Sequence, residues 1–499
     1  MTNEQKNARF LKINSGDNVV VALNRIESGE YFFDVTATES IDAGHKMALA
    51  DISAGEAVIK YGQPIGRAAI NIKAGQHVHT HNLKTSITSF DEYKYQPLTA
   101  LPFNIIGSKA GSFFGYRRSD GKAGIRNEIW IINTVGCVNS ISERIALKAK
   151  ERFGEMVDDI IAIRHPYGCS QLGDDHENTR LILKGLAEHP NAAGVLILGL
   201  GCENNIPVDF MRLLGDYDKE RYRLLIAQEY EDEEAAALTM IGELAAYSGK
   251  AKRIEISLDE LVIGLKCGGS DSFSGITANP LVGRISDILT TYGGTTILTE
   301  TPEMFGAENI LMNRCETPGL FEKMVVMING FKGYFARHGQ AVYENPAPGN
   351  KDGGISTLED KSLGCIQKGG TGTVTDILAY GGQVRAKGLN LLDGPGNDLI
   401  AITALAAAGA LLILFTTGRG TPAGAVVPTI KISSNSGLAG RKANWIDFDA
   451  GVLLDGQPME ELTDDLWRMI LDIGSGKRKT KNEEYGYREL AIFKDGVIM

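Results

Sequence analysis

Four short runs with apolar centres, Glu128 to Val135, Ile160 to Arg164, Gly194 to Leu200 and Arg223 to Gln228, constrain this chain more than any other feature. They do not alternate as a strand with one wet face would, and they are too short for core helices. Such runs are strands buried on both faces, the mark of a parallel sheet covered by helices. The amphipathic segments Ile141 to Phe153 and Thr179 to Glu188 supply the covering helices. A second series follows after about Ser257: Leu261 to Lys266, Thr295 to Thr299, Leu389 to Leu392, Leu411 to Phe415, Thr429 to Ile432 and Trp445 to Phe448. The reading is α/β, with two Rossmann-like domains of mostly parallel sheet, 113–256 and 257–499.

Residues 1–97 follow a different rule. Short alternating runs such as Ala57 to Tyr61 and Arg67 to Ile72 are separated by turn signals, and the phrase Ile-x-Ala-Gly occurs at Ile41, Ile52 and Ile72. A small β domain with a hairpin corner at each phrase is expected. From Gln96 to Gly111 the sequence turns to linker composition, so residues 98–112 are read as a linker.

A net charge of −11 offers no basic field for nucleic acid or an anionic membrane, so an anionic ligand needs a local basic pocket. The six cysteines are scattered without a CxxC pair, which suits a reducing compartment, and the N-terminus lacks a secretory pattern; a cytoplasmic protein is expected. Leu399 to Phe415 is apolar, but Gly409 interrupts it, and a buried helix followed by a strand explains it better than a membrane span.

Ligands of open α/β sheets bind beyond the carboxyl ends of the strands. Three loops in that position carry a thiol, Cys169, Cys202 and Cys267, and if all the strands are parallel the three emerge at one sheet edge. They form either a site for iron or another thiophilic metal, or three small buried hydrophobes. The loop Thr416 to Thr421, with Gly418, Arg419 and Gly420, suits a carboxylate or phosphate, whereas its glycine spacing fits no dinucleotide fingerprint. His77, His79 and His81 would share one face of a strand and hold a metal or present a base; a solvated strand face is the alternative. Asp174, Asp175 and His176 precede a helix and are read as N-terminal capping.

Longer phrases carry a resemblance. Gly115-Tyr-Arg-Arg-Ser-Asp-Gly-Lys-Ala-Gly-Ile-Arg-Asn-Glu128, Thr134-Val-Gly-Cys-Val-Asn139, Tyr167-Gly-Cys-Ser-Gln-Leu-Gly-Asp-Asp-His176, Gly199-Leu-Gly-Cys-Glu-Asn-Asn205, Cys267-Gly-Gly-Ser-Asp271, Glu303-Met-Phe-Gly-Ala-Glu308, Asn345-Pro-Ala-Pro-Gly-Asn-Lys351 and Thr417-Gly-Arg-Gly-Thr-Pro422 resemble the altronate/galactarate dehydratase family. The first domain is similar to the SAF-type β-clip domain of that family. The resemblance implies dehydration of a sugar acid, D-altronate giving 2-keto-3-deoxy-D-gluconate in hexuronate catabolism, by a homodimer. It implies ferrous iron, with manganese as an alternative ion and an iron–sulfur cluster as an alternative form. Another sugar acid such as galactarate, or a sugar-acid binding protein without turnover, stands as the alternative function.

On that resemblance, Cys169, Cys202 and Cys267 are expected near the iron, with Glu203 and Asp271 as oxygen donors. Lys351 and Arg419, with Gly418 and Gly420, are expected at the substrate carboxylate, and a single cation loop favours one carboxylate over two. His45, Lys46, His77 and His79 are the candidates for acid, base or hydroxyl contacts, supplied by the first domain as a mobile lid.

Overall fold

The structure is a computed structural model that describes residues 6–7, 9–88, 92–98 and 111–499. The expected linker falls almost wholly outside the described residues.

In the first domain each Ile-x-Ala-Gly phrase closes a tight turn on a left-handed glycine, with φ of 84° at Gly44, 85° at Gly55 and 87° at Gly75. Bridges Ile26–Ile41 and Ile52–Ile72 draw the corners together. Three small antiparallel sheets result, one running through Lys6–Asn7, Phe10–Leu11, Val19–Ala22, Lys46–Ala48 and His77–Val78, one joining Leu83–Lys84, Gln63–Ala68 and Ala57–Lys60, and one pairing Tyr31–Phe32 with Val35–Thr36. At Gly75 a side chain has no room, because a Cβ would run into the Thr36 carbonyl oxygen. Gly75→Ala is therefore expected to lower stability by about 1–3 kcal/mol or more, read as a shift in the denaturant midpoint; an unchanged midpoint would show that the turn relaxes freely.

The middle domain is a four-stranded parallel sheet in the order Ile160–Ile163, Glu128–Asn133, Ala192–Gly199, Tyr222–Ile226. The antiparallel pair Ser112–Arg117 and Ile254–Ser257 closes the domain where the chain enters and leaves it. The C-terminal domain holds a seven-stranded parallel sheet in the order Val374–Leu378, Gly388–Leu392, Thr295–Leu298, Val262–Cys267, Leu412–Thr417, Thr429–Ser433, Phe448–Asp449. The segment 399–415 is the expected buried helix Asp398–Ala407, a left-handed turn at Gly409, and a strand. The expected strand Trp445 to Phe448 shrinks to its last residue, because the Trp445 and Ile446 amides turn back onto Lys442 O.

The domains are not separate bodies. Val58, Ile65 and Val78 of the first domain belong to one apolar core with Leu281, Phe305 and Leu358 of the C-terminal domain. Trp130, Ile132 and Ile182 of the middle domain pack with Leu405, Ile413 and Phe415. The C-terminal sheet thus serves as the frame on which the other two domains are mounted. Among the described residues no helix is long and apolar enough to cross a membrane.

Candidate functional site

The helix Leu358–Cys365 lies where the first domain meets the C-terminal domain, with the Thr357 hydroxyl accepting from Asp360 N at its start. Its Asp360 is fully buried and takes two lysines of the first domain, Lys46 Nζ at 2.9 Å and Lys60 Nζ at 2.9 Å. Burial alone would raise the Asp360 carboxyl, but the two ammonium groups outweigh it and hold it well below the usual carboxylate range. Lys46 also donates to Gly354 O at 2.7 Å, and Thr357 Oγ1 donates to Ile65 O. Lys46, expected to meet substrate, is therefore committed to the domain contact, and the first domain is docked by buried ion pairs rather than standing off as an open lid.

That docking brings an imidazole cluster against the C-terminal domain. The strand ends after Val78, so His77, His79 and His81 do not share a strand face. A turn instead carries His79 toward His45, and ring nitrogens of His45, His77 and His79 lie within 4.8 Å of one another. His81 stays exposed, its ring 5.4 Å from that of His77. His45 Nε2 sits 3.3 Å from the Asp352 carbonyl oxygen, which can only accept, so Nε2 carries the proton. His45 Nδ1, 3.0 Å from His77 Nε2, is then the acceptor of that second bond. His79 Nδ1 is 2.8 Å from Ser356 Oγ. Burial lowers all three imidazoles, His77 to about 4 and His79 to about 3, so they are neutral near pH 7. Three neutral rings, two of them anchored from behind by Asp352 O and Ser356 Oγ, form a donor set suited to a divalent metal.

Lys351 follows the imidazoles closely, being next to Asp352 on the short helix Pro348–Asp352, and makes no ion pair among the described residues. Beyond Gly353 lies Asp271, whose Cβ is 2.9 Å from where a Gly353 side chain would start, and on its other flank a Gly418 side chain would strike the Asp271 carboxylate. Asp271 is not a free ligand. It accepts from Ser274 N and Ser274 Oγ at 2.9 Å, Ser434 Oγ at 2.7 Å and Asn435 Nδ2 at 3.0 Å, although burial raises its pKa.

The loop 416–421 corrects another expectation. Its amides are not offered to an anion: Gly418 N and Arg419 N both donate to Gly269 O, and Gly420 N donates to Thr417 Oγ1. Only the exposed Arg419 guanidinium, unpaired among the described residues, remains for a carboxylate. With Lys351 that makes two free cations, so the argument from a single cation loop does not decide between one carboxylate and two. The same domain contact leaves a narrow crevice beside Lys60, Tyr61, Asp271, Asp360, Lys361 and Cys365, and Ser270 Oγ in its lining has no partner among the described residues.

The three expected metal thiols separate. Cys267 ends a strand of the seven-stranded sheet and is buried, whereas Cys169 and Cys202 follow strands of the four-stranded sheet and are exposed. Two parallel sheets have two carboxyl edges, and the expectation of one edge fails for that reason. Glu203 is turned inward as a loop brace, accepting from Thr134 Oγ1 at 2.6 Å, Leu200 N at 3.0 Å and Gly201 N at 2.7 Å. Asp175, expected as a helix cap, instead takes the amides of Asp495 and Gly496.

Cys267 has partners that the sequence did not suggest. Its sulfur lies 3.3 Å from Cys365 Sγ, 3.1 Å from Glu303 Oε2 and 2.7 Å from Lys368 Nζ, and Lys361 Nζ is 2.7 Å from Glu303. Three buried lysines, Lys266, Lys361 and Lys368, crowd this group together with Glu300. The three ammonium groups already neutralise Glu300 and Glu303, the carboxylates a cation would need here, so the neutral imidazole trio suits a metal better.

Comparison with known proteins covers the same three parts. Residues 8–86 match the altronate/galactarate dehydratase SAF domain, 115–248 the D-galactarate dehydratase/altronate hydrolase second domain, and 258–498 the D-galactarate/altronate dehydratase C-terminal domain. Altronate dehydratase of Escherichia coli K12 is 50% identical, with 98% of this chain and 100% of that protein covered. Altronate dehydratase of Bacillus subtilis 168 is 49% identical over 98% of this chain and 99% of its own length. Galactarate dehydratase (L-threo-forming) of Escherichia coli K12 is 30% identical over 98% and 97%. The expectation drawn from the sequence phrases is borne out, and this chain belongs to the altronate/galactarate dehydratase family.

Proposed function

We propose that this protein is a hydro-lyase that converts D-altronate to 2-keto-3-deoxy-D-gluconate in hexuronate catabolism, using ferrous iron at His45, His77 and His79. The observation that carries the reading is the cluster of three neutral imidazoles held by the Lys46–Asp360–Lys60 clamp against the segment Asp352–Ser356 that follows Lys351, with Asp271 between Gly353 and the Gly418–Arg419 loop. The two altronate dehydratases at 50% and 49% identity support altronate over galactarate, whose dehydratase is at 30%. Six free cysteines support a reducing compartment, the cytoplasm.

The chemistry asks for charge control. The C2 proton is α to a carboxylate, and its removal places a second negative charge on the same group. Iron bound to the three imidazoles supplies a Lewis acid with its charge undiminished, since none of its protein ligands is anionic. Lys351 and Arg419 bind the carboxylate as unpaired cations and oppose the charge that develops on it. The docked first domain holds the imidazole rings in place, with His45 fixed by Asp352 O and His79 by Ser356 Oγ.

The test is turnover by one anaerobically iron-loaded preparation, read as keto-acid release. D-Altronate is expected to give the higher kcat/KM and galactarate the lower, with both lost on exhaustive chelation. Equal or reversed values would assign the chain to the galactarate branch, and full turnover after chelation would remove the metal from the proposal.

A further inference from the structure

The mechanism above gives none of the six thiols a role. Free cysteine is among the most buried residue types in proteins, yet Cys137, Cys169 and Cys202 are all exposed, while the other three cysteines are buried. The exposed three share one location. Cys137 follows the strand Glu128–Asn133, Cys169 follows Ile160–Ile163 and Cys202 follows Ala192–Gly199, and these are adjacent parallel strands whose ends lie level, Ile132 opposite Ile163 and Asn133 opposite Leu198.

The loops that carry them are locked to one another. Gly136 N donates to Tyr167 O at 2.8 Å, Asn205 N to Gly168 O at 2.9 Å and Asn205 Nδ2 to Thr134 O at 3.0 Å, while Ser170 N donates to Asn204 Oδ1 at 2.7 Å. Each thiol has a glycine before it, Gly136, Gly168 or Gly201, and a side chain at the first two would collide with a neighbouring loop's backbone. The loops therefore close on one another only because these positions are glycine. Leu172, Ile206 and Val208, which follow Cys169 and Cys202 closely in sequence, are exposed.

We infer that Cys137, Cys169 and Cys202 are the three thiolate ligands of an iron–sulfur cluster of the cubane type, with the fourth iron left without a protein thiolate. Two thiolates on one ion, each about 2.3 Å from it, stand about 3.8 Å apart. Among the described residues only the His45–His77–His79 and Cys267–Glu303–Cys365 groups bring three such atoms within 4.8 Å of one another. The exposed trio forms no such single-ion group, and thiolates that each bind a different iron of a cluster need not approach that closely. Cys137 takes the place that the sequence reading gave to Cys267. This centre is independent of the imidazole site, which lies in a different domain contact.

Anaerobic reconstitution of the full chain with ferrous iron, sulfide and a thiol reductant tests the inference. A visible absorption band near about 400 nm is expected, with about four iron atoms and about four acid-labile sulfides per chain beyond any iron held by the imidazoles. Cys137→Ser, Cys169→Ser and Cys202→Ser should each abolish the band and the sulfide while the thermal transition stays in place, because all three side chains lie on the surface. His79→Ala should leave both untouched, and Cys267→Ser likewise, so failure of the imidazole site and failure of this one are read separately. Undiminished sulfide in any one of the three serine variants would overturn the ligand set. Iron without sulfide would overturn the cluster and leave a single-ion site.

Discussion

His79→Ala is expected to lower kcat by about 10²–10⁴-fold and to remove the iron that is bound without sulfide, with no change in the folded state. His79 is half-buried and touches the C-terminal domain through one hydrogen bond, to Ser356 Oγ, so its loss leaves the Lys46–Asp360–Lys60 clamp intact. The substitution removes one of only three nitrogen donors, and two imidazoles without an anionic ligand hold a divalent ion weakly. Ser356→Ala is the milder companion. It keeps the ring but frees its orientation, and a loss of about 10–100-fold in metal affinity is expected from removing such a support. The pair is measured by metal analysis after gel filtration and by steady-state kinetics. If His79→Ala keeps its iron and loses only turnover, the imidazole moves protons and does not bind metal. Wild-type turnover would remove the imidazole trio from the active site altogether.

How far the sequence leads can be judged from particular residues. Strands buried on both faces declare themselves, because a run such as Gly194 to Leu200 has no polar residue to give to solvent, and the structure pairs it on both sides. The repeated Ile-x-Ala-Gly turns are equally legible, since a left-handed φ selects glycine. What the one-dimensional pattern lacks is sheet membership. Cys202 and Cys267 both end apolar strands, and nothing in either run says that one strand belongs to a four-stranded sheet and the other to a seven-stranded one. Cys137 lies in a phrase that carries the family resemblance, Thr134 to Asn139, but the polar pair Asn133 and Thr134 separates it from its apolar run, so no strand-end pattern marks the thiol. The Gly418–Arg419–Gly420 loop misleads for a related reason. Its amides look free in the sequence, whereas a neighbouring strand's loop offers Gly269 O to two of them. Asp360 is the extreme case, because its partners Lys46 and Lys60 lie 314 and 300 residues away and no local rule links them.

That carboxylate supports the other large expected effect. Asp360→Ala should destabilise the docked state by about 3–5 kcal/mol, the cost of leaving buried charges without their partner. Lys46 and Lys60 are both fully buried, and after the substitution neither keeps a carboxylate: Lys46 retains Gly354 O at 2.7 Å, and Lys60 retains Ser272 Oγ at 3.1 Å and the Tyr61 ring, whose centroid is 4.7 Å away. The first domain's own core is small, built on Phe10, Val20, Ile26, Ile41 and Met47, so release from the C-terminal domain should show as early loss of that domain rather than uniform unfolding. Limited proteolysis is expected to detach roughly the first hundred residues, at an address set by domain size, under conditions that leave the wild-type chain intact. The sign with pH follows from the same pair. The folded Asp360 carboxyl lies well below its ordinary value of 3.8, so its stabilisation is complete above about pH 4 and is lost as pH falls further toward the folded value. Asp360→Ala should accordingly show a flatter acid limb than the wild type. Replacing all three charges together, with Lys46→Met, Lys60→Met and Asp360→Leu, should cost far less than Asp360→Ala alone, because no charge is then left buried. A single substitution no worse than the triple one would show that water reaches the lysines and that apolar packing, not the ion triplet, holds the imidazoles over the C-terminal domain.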